Sequence, residues 1–141
     1  MKQLILFVLF LGLSISCRKA DQDAPPSDPL YQKWRLIETR NGTGTWEPVS
    51  SESVMEFRAN GNILYPKSEP ACCSPIRFER QGETLSITET YGGESCIYVD
   101  CAAPAAYKIL SLTASELIME MVYSFDQPVL AGIRMKYSVS K

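Results

Sequence analysis

The chain has 141 residues, with 14 Lys and Arg against 16 Asp and Glu and a net charge of −2. That balance, without a Lys/Arg cluster, offers no electrostatic footprint for nucleic acid. Histidine is absent, which removes the usual general base, the Ser-His and Cys-His nucleophile pairs and the commonest metal ligand.

Met1-Lys2-Gln3 leads into an apolar run from Leu4 to Leu13, followed by Ser14-Ile15-Ser16-Cys17. One positive charge, a short apolar stretch and a small-residue cleavage site predict a secretory signal peptide over residues 1–16. The run is too short to cross a bilayer, which needs about 20 apolar residues. A Cys directly after the cleavage site resembles the lipobox of bacterial lipoproteins. The resemblance implies that Cys17 is acylated and becomes the first residue of the mature chain, holding it on a membrane. The usual Leu three places before the Cys is Ser14 here, and Ser14-Ile15-Ser16 also fits ordinary cleavage that leaves Cys17 a free thiol. Parity separates the two readings. Five Cys is an odd number for an exported chain, and assigning Cys17 to the lipid leaves an even set.

After Cys17, residues 18–29 read RKADQDAPPSDP, with no large apolar side chain, and complete a 17–29 segment of lipidated Cys and tether. This reads as a disordered tether that sets the domain about 20 Å from the anchor, at roughly 5–6 Å × √n. Lys19-Ala20-Asp21-Gln22-Asp23 resembles the acid-containing tract that sends some lipoproteins of Bacteroidota to the outer face. Any polar tether would look similar, so an outer-membrane anchor is expected with periplasmic face and cell surface both open.

Residues 30–141 suffice for one small core. Period-two alternation dominates them. Strands are predicted at Lys33–Arg40, at Met55-Phe57-Ala59 and Ile63-Tyr65 on either side of Asn60-Gly61, and at Ile76–Arg80 and Leu85-Ile87 around Gln81-Gly82-Glu83. Asn-Gly is a strong hairpin signal because both residues tolerate positive φ. Further strands are predicted at Cys96–Asp100, Tyr107–Leu112 and Ile133–Val139. Glu116–Tyr123 (ELIMEMVY) contains helix formers, but its Leu117, Met119, Met121 and Tyr123 alternate and strands flank it, so it too reads as a strand. About eight short strands with turn-rich gaps form an antiparallel all-β domain. Either a two-sheet β-sandwich or a closed barrel fits. The succession of hairpins favours an up-and-down barrel, whose interior is filled by side chains or holds one small ligand.

Leu30-Tyr31-Gln32-Lys33-Trp34-Arg35-Leu36, Met55-Glu56-Phe57 with Asn60-Gly61, Leu85-Ser86-Ile87, Tyr107-Lys108-Ile109 and Arg134-Met135-Lys136-Tyr137 together resemble the short lipocalin-like lipoproteins of Bacteroidota. Those domains open on a Gly-Lys-Trp-like element and close on an alternating strand. Gln32 stands where that Gly is usual. The resemblance spans residues 30–140 and implies a lipocalin-like barrel, not an activity.

Cys72, Cys73, Cys96 and Cys101 allow three pairings. A vicinal bridge would close a strained ring, and adjacent residues in extended chain point opposite ways. Cys72 and Cys73 are therefore each expected to reach a different partner, tying the 66–75 loop twice to the 92–104 loop. A thiolate zinc site normally uses Cys pairs two to four residues apart, and no Cys-x-x-Cys supports a redox role. No metal or cofactor is expected.

Nor is an enzyme. The carboxylates form no motif, Gly42-Thr43-Gly44 and Gly92-Gly93 lack a following phosphate-binding Lys, and the sequon Asn41-Gly42-Thr43 is idle in a bacterial host. Two functions remain. In the first, the barrel binds a small apolar or amphipathic ligand. Trp34, Met119 and Met121 lie inside it and Trp46 and Tyr91 at the mouth, with Tyr98 and Phe125 as further aromatics. In the second, Trp34, Met119 and Met121 are plain core, and a lipid-tethered module presents its cross-linked loops to an envelope or extracellular protein.

Overall fold

The computed structural model describes residues 28–100, 102–124 and 132–141. The expectations for residues 1–27, Cys17 included, and for Cys101 and Phe125 lie outside the described residues. Among the described residues nine strands follow one another: β1 (Lys33–Arg40), β2 (Glu47–Pro48), β3 (Val54–Phe57), β4 (Ile63–Leu64), β5 (Pro75–Gln81), β6 (Thr84–Thr90), β7 (Ala106–Leu112), β8 (Glu116–Val122) and β9 (Arg134–Val139). They make one sheet in the order β4-β3-β1-β9-β8-β7-β6-β5, with β2 alongside β1. Every pairing is antiparallel. The ELIMEMV segment is a strand whose Leu117 and Met119 oppose Tyr137 and Met135.

One predicted strand is corrected. Cys96–Asp100 is a turn of 3-10 helix, Glu94–Cys96, running into a turn at Ile97-Tyr98. The Cys96 N–H donates to Gly93 O at 2.8 Å and the Val99 N–H to Cys96 O at 3.0 Å. These local bonds take the donors that a ladder would have used. β2 carries no strand signal in the sequence, because Glu47-Pro48 has no apolar alternation.

The turns follow glycine's conformational freedom. Gly61 ends the β3–β4 hairpin at φ +83 and is the one member of Asn60-Gly61 with positive φ. Its N–H donates to Arg58 O at 3.0 Å, the pattern of a type I turn closed by a left-handed residue. Gly82, at φ +61, takes the first central place of the two-residue β5–β6 turn, since Gln81 pairs directly with Thr84.

Alternation delivers one side chain in two to a common face. Trp34, Met55, Phe57, Ile63, Phe78, Leu85, Tyr107, Ile109, Leu117, Met119, Met135 and Tyr137 join Leu30 in one buried cluster. Bulges adjust the pattern. Pairing shifts between Leu36 and Glu38 and between Ile109 and Ser111. An extra residue reverses which side chains face inward, so Leu112 opposes Leu117 and Leu110 is left exposed. A void wide enough for water would leave accessible surface on its walls. Leu30, Trp34, Phe57, Leu85, Leu117 and Met119 have none.

β4 and β5 end the sheet order, and among the described residues no continuous ladder joins them. They touch at an isolated Asn62–Arg77 bridge, where the Phe78 N–H donates to Gly61 O at 2.8 Å. Register also defines two poles. Trp34 pairs with Val139, Glu116 with Ser138 and Thr84 with Lys108. The start of β1 therefore shares a pole with the β5–β6 and β7–β8 turns. The lead-in chain is held there by an Asp28–Arg80 ion pair and by Gln32 Nε2 donating to Ala114 O at 3.2 Å. Arg40 pairs with Arg134, Pro75 with Thr90 and Ala106 with Val122, which puts the β6–β7 connection at the opposite pole.

A Cβ on Gly61 would stand 2.7 Å from Phe78 O, whereas one on Gly82 would meet nothing within 4 Å. Gly82→Ala is expected to cost about 1–2 kcal/mol for the left-handed conformation alone. Gly61→Ala must also move backbone, and urea unfolding should find it the more destabilised of the two.

Buried tyrosines make the fold sensitive to alkali. Burial pushes Tyr65 up to about 12, partly offset by a hydrogen bond with Ser74. Burial also raises Tyr107, reinforced by Tyr65 and Tyr123, and raises Tyr137 well above its ordinary value. Unfolded tyrosine ionises near 10. Above that pH the unfolded chain sheds protons the folded one keeps, so stability falls as pH rises from about 10 towards 12. Urea midpoints measured across this range should decline, with a shallower decline in Tyr65→Phe; a rise would contradict the burial of these phenols.

Candidate functional site

The predicted ligand set does not converge on one surface. Trp34 and Met119 belong to the core cluster, and Met121 packs half-buried against it. The Trp34 indole N–H donates to Leu30 O at 2.9 Å, so its polar atom is satisfied inside the packing. Trp46 stands outside that cluster. Arg40 and Lys136 lie 4.9 and 5.0 Å from its ring centroid, and Lys136 faces outward beside the inward-facing Met135. Two cations thus fix Trp46 on the outer face of the sheet. Tyr91 lies in the β6–β7 connection, with its hydroxyl 2.6 Å from where a Gly93 Cβ would be.

That connection meets the 65–74 loop in a tightly joined root. Cys72 and Cys96 form a disulfide with their Cα atoms 5.5 Å apart. The Cys73 N–H donates to Tyr91 O at 2.9 Å, and the Tyr91 N–H donates to Ser74 O at 2.8 Å. Cys73 is itself disulfide-bonded and takes φ +69, the one positive φ outside glycine among the described residues. A left-handed non-glycine costs on the order of 1–2 kcal/mol, and it persists here because both its N–H and its sulfur are held. The disulfides follow the expectation that the adjacent cysteines reach away from each other, and an oxidised sulfur is no thiolate ligand. Among the described residues no three His, Cys, Asp or Glu converge to hold a metal ion.

The root carries an uncovered tip. Cys96 is buried, but Ile97 is 73 % exposed, Tyr98 98 % and Val99 46 %. Single exposed apolar residues are ordinary, whereas a contiguous group marks an interaction surface. Covering a side chain the size of Ile or Val is worth about 1.5–3 kcal/mol, and Tyr is enriched among residues that dominate interfaces. Comparison with protein-family models, characterised proteins and solved structures finds no match. What this pole can do chemically therefore rests on its own side chains: it offers apolar contact, a phenol donor and flanking carboxylates at Glu94 and Asp100.

Sequence reasoning singled out Tyr98 as a possible cavity aromatic and missed Ile97 and Val99 as a tip. Ile-Tyr-Val has high strand propensity, which concealed it. The available signal was the bracket of Cys96 and Cys101 around an apolar triplet too short to pair.

The Cys72–Cys96 bridge has a sequence separation of 24, for which chain entropy gives about 3–4 kcal/mol. The double variant Cys72→Ser/Cys96→Ser should lose stability of that order in urea unfolding, with the sheet's circular dichroism retained in the absence of urea.

Proposed function

We propose that the protein is a non-enzymatic, lipid-anchored module of the outer envelope that binds another protein through the pole carrying the β6–β7 connection. The uncovered Ile97-Tyr98-Val99 tip on a cross-linked root is the observation that carries this reading. The filled interior supports it over a ligand-carrying barrel, because the side chains at the centre of the cluster border no water-sized void. The sequence at residues 1–29 supplies the anchor: a signal peptide, Cys17 as lipid carrier, and a polar tether.

The same reading takes the sheet as a lipocalin-like barrel with a short seam. β4 and β5 are consecutive in the chain, so pairing them would complete an up-and-down ring. The Asn62–Arg77 bridge and the Tyr65 hydroxyl donating to Pro75 O at 2.8 Å support that closure. With Cys17 acylated, parity leaves Cys101 as the partner of Cys73, giving the two loops a second staple that peptide mapping without reductant would detect.

Native mass spectrometry of the full-length protein, extracted in mild detergent from its native envelope, tests the proposal. The expected species carries a diacylglycerol-sized increment and a stoichiometric protein partner. A discrete small apolar adduct released on denaturation would overturn the interaction reading in favour of a ligand carrier, and a mass without the acyl increment would overturn the anchor.

A further inference from the structure

The proposed interaction leaves the partner's chemistry open, and the tip narrows it. Residues 91–100 carry Glu94 and Asp100 and no Lys or Arg. Both carboxylates are exposed and flank the apolar triplet on either side. An apolar anchor with an acidic rim is complemented by an apolar pocket rimmed with cations, because matched rim charges steer encounter while like charges repel. An anionic bilayer surface would repel the same rim. Pole geometry agrees: the chain comes in beside Asp28 and Gln32 at one pole, and the tip projects from the other. The strand register thus places Tyr98 at the pole opposite the entry of the N-terminal chain.

We infer that Tyr98, with Ile97 and Val99, inserts into an apolar pocket of a partner protein whose rim presents Lys or Arg to Glu94 and Asp100. This rests on the reading of the molecule as an interaction module. The root needs no rearrangement to present the tip, since Cys96 is already buried, disulfide-bonded and backbone-bonded to Gly93. Little ordering then opposes binding.

The test places a benzophenone amino acid at position 98, or at Lys33 on the opposite pole as control, in full-length lipidated protein in its native cells. Irradiation should give one discrete protein adduct from position 98 and none from position 33. In the position-98 protein, adding Glu94→Lys and Asp100→Lys should lower the adduct about tenfold, and Glu94→Gln with Asp100→Asn should lower it less. All four substitutions are at exposed sites, and an unchanged circular dichroism spectrum and urea midpoint verify that each variant is folded. An adduct undiminished by charge reversal would overturn the cationic rim. Cross-linking to lipid alone would make the bilayer the occupant and overturn the inference. A protein adduct from position 33 but not 98 would overturn this surface while sparing the interaction reading, and no protein adduct from either position would remove that reading as well.

Discussion

The fold depends on β1 and on the packing of Trp34 within it. β1 is an interior strand of the sheet, paired along one edge with β9, the last strand of the chain, and along the other with β3 and β2. It thereby joins the two ends of the sequence into one sheet, a pairing of high sequence separation that only a shared core can compensate. Trp34 supplies the largest fully buried side chain of that core. Its indole N–H bonds the Leu30 carbonyl, so the ring buries its full apolar area without leaving a donor unpaired. The same bond folds the lead-in chain beneath the sheet and buries Leu30. Anchoring, closure of the chain ends and filling of the interior thus meet at one residue.

Alternation made most of this legible in the sequence. β1 was readable to its end residues, β9 was readable from Met135 and Tyr137, and the helix-forming ELIMEMV was settled by its period and its flanks. Propensity misled where no neighbour was available. Ile97-Tyr98-Val99 has strand composition, yet a strand is a relation between two segments, and β6 and β7 already use each other and their outer partners. The bulges at Ile37 and Leu110 were hidden for a related reason. Each depends on the length of the opposing strand, which a linear reading does not contain. The pairing of Cys72 away from Cys73 followed from backbone geometry alone, whereas the choice of Cys96 needed the fold.

The candidate site shows the reverse imbalance. Trp34 and Met119 attracted a functional reading because aromatic and sulfur side chains adapt to ligands, but those properties also fill irregular cores. Both are fully buried in the core cluster. Trp46 shows how an aromatic can be partly exposed and still committed: Arg40 and Lys136 occupy its neighbourhood, and Lys136 is itself paired with Glu38 at 2.5 Å. Tyr98 has no such company. Exposure acquires meaning from what surrounds it, and among the described residues only at the β6–β7 connection do exposure, contiguity and a fixed root coincide.

Rigidity and exposure are in tension at that root, and the disulfides reconcile them. Three adjacent apolar side chains in water favour collapse onto the nearest apolar surface, and a flexible loop of this length would permit it. Anchoring Cys96 to Cys72, with Cys73 bonded across to Tyr91, removes that freedom at the base while the turn at Ile97-Tyr98 directs the side chains outward. A contact built on so few residues falls below the area of a standard stable interface. Under the proposed lipid anchoring it can nevertheless serve, because confinement near a membrane would raise the effective concentration of a partner held in the same envelope, and a tip ordered before encounter loses little entropy on binding. A small, solid domain with a stapled tip is therefore suited to weak, repeated contact. The strand register keeps the entry of the chain into β1 at one pole and the apolar tip at the other, the separation that the proposed function uses.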